Sequence, residues 1–315
     1  MNSKPLVSVV TPFFNAFEFF QETIESVFAQ SYDNWELLLV DDNSTDGSTE
    51  IALRYAKQYP EKVRYLEHEG HQNRGQCASR NLGISNAKGK YVALLDHDDV
   101  WLPHKLEQQV AIMESYPEAG MLYGATEYWY SWTGKPEDAS RDYVPELSVE
   151  PNTLVKPPKL LVVSYPLGKG SAPCTGSLLL RKEAIERVGG FEEAFRGIYM
   201  LYEDQAFLVK VYLNESVFVA GECWDKYRLH PNSAMATVMK AGQYHVVRSF
   251  FLNWLEGYLS EQKVKDTEVW KALQKALWRY RHPILSRILR RVQRLVSQIK
   301  GRLPTGARQP LPTKL

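Results

Sequence analysis

Cysteine is scarce. The three in 315 residues, Cys77, Cys174 and Cys223, stand far apart without metal-ligand spacing, which argues against a disulfide framework or a cysteine-held zinc and fits a reducing compartment. Long apolar runs are missing too. No stretch reaches the roughly 18 apolar residues that a membrane span needs. The patch Leu6–Phe14 is broken by Ser8, Thr11 and Pro12 with no small-residue cleavage site after it, so no secretory leader is expected. The usual phosphate cradles are also absent: Gly70–Gly75 does not have the dinucleotide spacing, and no Gly-Lys-Ser or Gly-Lys-Thr follows an apolar run. Finally, one region lacks acid. From Lys271 to Leu315 there are 12 Lys and Arg and no Asp or Glu, so a net charge of +1 hides a body at −11 and a cationic tail.

Against these absences one stretch concentrates chemistry. Tyr91, Val92, Ala93, Leu94 and Leu95 run into Asp96, His97, Asp98 and Asp99, which predicts a buried strand tipped with carboxylates. In an open α/β sheet ligands bind at that end. Three carboxylates in four residues repel one another unless a cation sits among them, and hard oxygen ligands suit Mg²⁺ or Mn²⁺. A solvated acidic loop is the simpler alternative. Upstream, Val7–Val10 reads as a strand that Thr11 and Pro12 terminate. A helix from Phe17 follows, then a strand Trp35–Val40 that meets Asp41, Asp42 and Asn43, a helix with Ile51, Ala52 and Tyr55 on one face, a strand Val63–Leu66, and a helix burying Ala78 and Leu82. Four strands alternating with three helices predict parallel βαβ units, with both acidic strand ends on one sheet edge. Asp41 and Asp42 there suit either hydrogen bonds from a base or ribose, or the capping of the next helix. After Asp99 a helix is expected at once, with Pro103 at its first position and Leu106, Val110 and Met113 as core, and further on residues 176–180 read as a strand.

Four motifs in order then carry a resemblance: Val7-Ser8-Val9-Val10-Thr11-Pro12, Val40-Asp41-Asp42-Asn43-Ser44-Thr45-Asp46-Gly47-Ser48, Ser79-Arg80-Asn81-Leu82-Gly83, and Leu95-Asp96-His97-Asp98-Asp99-Val100-Trp101-Leu102-Pro103. Together they resemble family 2 glycosyltransferases over roughly residues 5 to 235. The resemblance implies the GT-A fold, an α/β architecture with a Rossmann-like, mostly parallel sheet flanked by helices. It also implies an inverting, metal-dependent transfer of one sugar from a nucleotide diphosphate sugar, with uracil the expected base, to an acceptor hydroxyl in glycan or cell-surface polysaccharide assembly. Carried over residue by residue, Pro12, Asp41, Asp42, Arg80, Asp96 and Arg228 fall at donor-binding positions. Asp98 falls at the metal, with Asp96, Asp99 and His230 as further ligands, and Asp204 of Tyr202-Glu203-Asp204-Gln205 falls at the catalytic base. The Gln-x-x-Arg-Trp signature of the family's processive synthases is absent.

Other readings stay open. Asp96-His97-Asp98-Asp99-Val100 also fits the nucleophile motif of a haloacid dehalogenase-type phosphatase, and a non-catalytic nucleotide-sugar binding protein would keep the same acids. Trp129 and Trp132 are candidate walls for a sugar acceptor or simple packing residues. Residues 1–235 read as the catalytic domain and 236–315 as a helical extension with a basic amphipathic helix near 283–300. Its stripe of Ile284, Leu285, Ile288, Leu289, Val292, Leu295, Val296 and Ile299 suits an anionic membrane surface, docking on the protein's own body, or a short coiled coil. The expected partners are the donor and a glycan or lipid-linked acceptor, with no nucleic acid. The expected location is cytoplasmic, at the cytoplasmic membrane face if the helix binds lipid.

Overall fold

The computed structural model describes residues 4–286 and 288. The first half alternates as the periodicity requires: β1 (Val7–Phe13), α1 (Phe20–Phe28), β2 (Trp35–Asp41), α2 (Ser48–Gln58), β3 (Val63–Glu67), α3 (Gln76–Asn86) and β4 (Tyr91–Leu94). These four strands pair in parallel in the order β3-β2-β1-β4. Because side chains alternate along a strand, each apolar run feeds two cores. Val10, Leu38, Val40, Val92 and Leu94 bury on one face, whereas Val7, Val9, Leu37, Leu39, Tyr91 and Ala93 bury on the other. Helix α3 lies against β1 so closely that a Cβ on Gly83 would come within 2.3 Å of Val10 Cγ1.

The chain continues through β5 (Val100–Trp101), α4 (Lys105–Ser115), β6 (Ala119–Trp129), β7 (Thr153–Val155), α5 (Lys159–Val163), β8 (Leu179–Arg181), α6 (Lys182–Val188), α7 (Glu203–Asn214) and β9 (Ser216–Arg228). Strand β8 joins β4 antiparallel and passes the sheet on to β6, β9 and β5, while β7 pairs with β9. The sheet is therefore mixed: parallel where the βαβ units lie and antiparallel around β8.

Three local expectations are corrected. Strand β1 runs through Pro12, which sits opposite Val40. The Val10 carbonyl accepts from Leu95 N–H on the β4 side, so Pro12, two residues on, turns its missing N–H to the same side, where β4 has ended. The helix after Asp99 does not start at Pro103, because Val100 and Trp101 pair antiparallel with Lys226 and Asp225 and delay it to Lys105. The strand expected from Gly176 begins at Leu179, since Thr175–Ser177 forms a 3₁₀ turn.

Past residue 235 the packing is continuous. Helices α8 (Ala234–Lys240), α9 (Tyr244–Glu261) and α10 (Thr267–Arg281) bury Val238, Phe251, Leu255, Leu273 and Leu277 in the same cluster as Phe195, Tyr202 and Phe207. Of the apolar stripe expected near 283–300, Ile284, Leu285 and Ile288 are described, and all three are exposed. The rest of the stripe lies outside the described residues. No described helix is long and apolar enough to cross a membrane.

Candidate active site

Parallel pairing brings the C-terminal ends of β1, β2 and β4 to one edge, and with them both acidic clusters. The two acids after β2 are occupied by the protein. Asp41 is fully buried and accepts from Ser44 N–H at 2.8 Å, Thr49 Oγ1 at 2.5 Å and Tyr65 OH at 3.2 Å. It is a turn anchor, and the donor-binding expectation for it is corrected: few of its lone pairs remain for a base. Asp42 accepts from Arg74 N–H at 2.7 Å and Gly75 N–H at 3.0 Å, which folds the polar loop 68–75 over the edge. Pro12 is buried inside β1 near this edge, one residue before Phe13, whose carbonyl accepts from Asp42 N–H at 2.9 Å.

The acids after β4 split into three roles. Asp96 Oδ1 accepts from Gln76 Nε2 at 3.1 Å and from Arg80, and its Oδ2 accepts from Thr175 Oγ1 at 3.2 Å. Asp99 points inward, buried, and takes the Arg228 N–H at 2.9 Å. Burial and the charges of Asp98 and Asp96 push its carboxyl well above the ordinary range. Asp98 faces His230, with Oδ2 and Nε2 3.0 Å apart. Burial raises its pKa, but His97 and the hydrogen bond with His230 outweigh it and leave the carboxyl below the usual value.

Arg228 is not free to clamp a phosphate, which corrects the donor-binding expectation for it. Its guanidinium is buried, bonded to the Asp98 carbonyl at 2.7 Å and Glu22 at 2.6 Å. It is enclosed by the rings of Phe19, Trp129 and Trp132 at 4.4, 4.5 and 5.4 Å. The two tryptophans therefore hold this cation, and Trp132 also donates to the Leu229 carbonyl at 2.9 Å. From this position Arg228 fixes the Asp98–Asp99 loop against β9.

Arg80 likewise acts within the protein and not as the donor contact expected of it. It is buried on α3, where the packing of Gly83 on β1 places it, and bridges Asp96 and Glu203. Glu203 opens α7 and was legible in the sequence only as the neighbour of Asp204. Burial pushes its carboxyl up to about 7 against the pull of Arg80. Asp204 comes next, partly exposed, accepting from Gln205 N–H at 2.6 Å and Gln205 Nε2 at 3.2 Å. Burial lifts its pKa from 3.8 to about 6, with the Gln205 hydrogen bonds and Arg80 restraining the rise. Gln76, Thr175 and Gln205 escaped the sequence reading as site residues. Gln205 left a signal, as the last residue of Tyr202-Glu203-Asp204-Gln205.

A four-ligand metal cage is not present: among the described residues no three His, Cys, Asp or Glu side chains converge to hold an ion. Asp96 is taken by three protein donors, and Asp99 faces the core. Asp98 and His230 remain. One carboxylate and one imidazole 3.0 Å apart fit a cation that completes its shell with water and substrate phosphate.

The site is thus an Asp-x-Asp loop at the C-terminal edge of the parallel part of an α/β sheet, beside a carboxyl of raised pKa at a helix start. The family model for Glycosyl transferase family 2 matches residues 8–189, more than half of the chain. The chain belongs to that family, and this removes the phosphatase reading. Among its relatives, EpsE of Bacillus subtilis, named as a glycosyltransferase, is 32% identical over 62% of this chain and 63% of its own length. TuaG of the same organism, named for teichuronic acid biosynthesis, is 45% identical over 36% of this chain and 43% of its own. The match thus spans less than two thirds of either relative. Similar folds are S. aureus TarS 1–349 in complex with UDP, TM-score 0.59 at 20% identity over 87% of this chain and 71% of that one, and mannosyltransferase PcManGT from Pyrobaculum calidifontis with GDP-Man and Mn²⁺, TM-score 0.56 at 17% identity over 87% and 69%.

Proposed function

We propose that the protein transfers one sugar from a nucleotide diphosphate sugar to an acceptor hydroxyl, with inversion, in the assembly of a glycan or cell-surface polysaccharide. The observation that carries this reading is Asp204. A carboxyl raised to about 6 is largely ionised at neutral pH yet more basic than an ordinary aspartate, which suits it to take a hydroxyl proton. In this reading Asp204 accepts the acceptor's proton as the oxygen attacks the anomeric carbon. Attack from the face opposite the leaving diphosphate inverts that centre. Asp96 and Glu203, tied through Arg80, hold the Asp-x-Asp loop and the start of α7 in register, so the base and the donor end stay aligned. Asp98 and His230 would hold Mg²⁺ or Mn²⁺, and the bound cation would supply positive charge for the diphosphate leaving group.

Uracil is the favoured donor base and a saccharide or lipid-linked saccharide the favoured acceptor. The UDP in TarS and the teichuronic acid in the name of TuaG support both. A thermal-shift screen of nucleoside diphosphates and their sugars, with and without Mn²⁺, tests the reading, since a ligand held by the native state alone raises its melting point. A UDP-dependent rise that needs Mn²⁺ supports it. No shift with any nucleotide defeats it.

A further inference from the structure

The helical layer beside the site exposes apolar side chains that the transfer chemistry does not use. Helix α8 begins four residues after His230 and packs against the 3₁₀ turn Gly197–Tyr202, which leads into Glu203 and Asp204. It presents Met235 and Met239 to solvent, 43% and 57% exposed. Val246, at the start of α9, is exposed as well. That start lies beside the end of α10, where the rings of His245 and Tyr280 approach to 6.5 Å. Just past α10, Ile284, Leu285 and Ile288 are exposed again. Three separate segments thus bring aliphatic side chains to one end of the helical layer. Cations predominate in the sequence of these segments: Lys226–Leu255 and Val269–Leu315 contain no Asp or Glu, and the second stretch holds 12 Lys and Arg; Glu256, between the two, is paired with Arg281.

We propose that this end docks on an anionic lipid bilayer, with the methionines and the 284–288 aliphatics entering the headgroup boundary and the basic chain pairing with acidic lipid. Flexible aliphatic side chains flanked by an excess of cations are the composition of an interfacial surface. A second copy meeting it face to face would set like charge against like. Docking does not depend on the proposed chemistry. Its consequence for the acceptor does rest on that reading: a site bordered by bilayer favours a hydroxyl presented by a lipid-linked saccharide.

Flotation of the full chain with vesicles of mixed phosphatidylcholine and phosphatidylglycerol, and with pure phosphatidylcholine, tests the proposal. The chain is expected to float with the anionic vesicles at low salt, to be released at high salt and to ignore the neutral ones. A Met235→Glu, Met239→Glu double variant should bind the anionic vesicles at least ~10-fold more weakly, while its melting point and Mn²⁺-dependent UDP binding match the parent's. The proposal is overturned if the parent stays unbound at low salt or if the double variant floats equally well. It is also overturned if the substitutions abolish a dimer seen without vesicles, which would make this face a self-interface. Flotation without UDP binding by the parent would defeat the sugar-transfer reading and leave the docking intact.

Discussion

Arg80 and Glu203, 123 residues apart in sequence, form an ion pair with both side chains buried, 1% and 6% exposed. The same guanidinium holds Asp96. One residue thereby ties α3, the Asp-x-Asp loop and the start of α7 together, and its Nε finds no acceptor among the described residues.

Replacing Arg80 with Met removes the cation but keeps much of the volume. The buried Glu203 and the partly exposed Asp96 then lose their partner, and breaking a buried pair destabilises by about 3–5 kcal/mol. Urea denaturation at pH 8 measures this. The charge of Arg80 also restrains the Asp204 pKa, so the acid limb of the variant's activity should move to higher pH. Unchanged stability would mean that the bridge contributes little.

Asp98→Ala removes a carboxylate ligand from the pair with His230. Mn²⁺-dependent affinity for UDP should fall by about 10-fold or more. Calorimetry with and without Mn²⁺ reads it. Undiminished Mn²⁺-dependent binding would sink the assignment of Asp98.

Arg228→Lys separates two roles. As a phosphate clamp, Arg228 would give a variant of normal stability and poor donor affinity. The caged, doubly bonded guanidinium argues for the reverse: lysine lacks the planar fork that serves Glu22 and the Asp98 carbonyl, so stability should fall by about 2 kcal/mol. UDP affinity of the folded fraction should stay within about threefold, as checked by melting curves and calorimetry.

The contrast between Arg80, Arg228 and Asp98 shows what was legible in the sequence. Apolar period and acid-tipped strands placed the βαβ half and both acidic ends on one edge, because those signals are local. The motif positions gathered the expected residues but did not tell ligands from braces. Arg80, Arg228 and Asp99 are spent on partners from distant elements, and such spending depends on tertiary contacts that no local pattern encodes, whereas the local turn that Asp41 anchors was one of its two open readings. The short strand Val100–Trp101 was missed for the same reason, since its pairing partner lies in β9, more than 120 residues away.

Asp204→Asn brings kinetics and stability into one test. The amide keeps the shape and loses the basicity, so transfer should fall by about 10²-fold or more while UDP still binds. In the parent, kcat/KM should drop about tenfold per pH unit below about 6, as the base becomes protonated. Stability should move in the opposite sense. The folded pKa is raised above the unfolded 3.8, so between about 4 and 6 the folded state keeps a proton that the unfolded chain has released. The contribution of Asp204 to stability therefore falls as pH rises through that window. Above it the ionised carboxylate is a burden on the fold, worth about 3 kcal/mol for the full rise and about 1–2 after solvent screening at this partly exposed position. The Asn variant should consequently be more stable than the parent at pH 8, with the gap closing near pH 4. Urea titrations at the two pH values decide it. A variant that is inactive but no more stable at pH 8 would mean that Asp204 does not carry a raised pKa, and one that keeps the parental rate would place the base elsewhere.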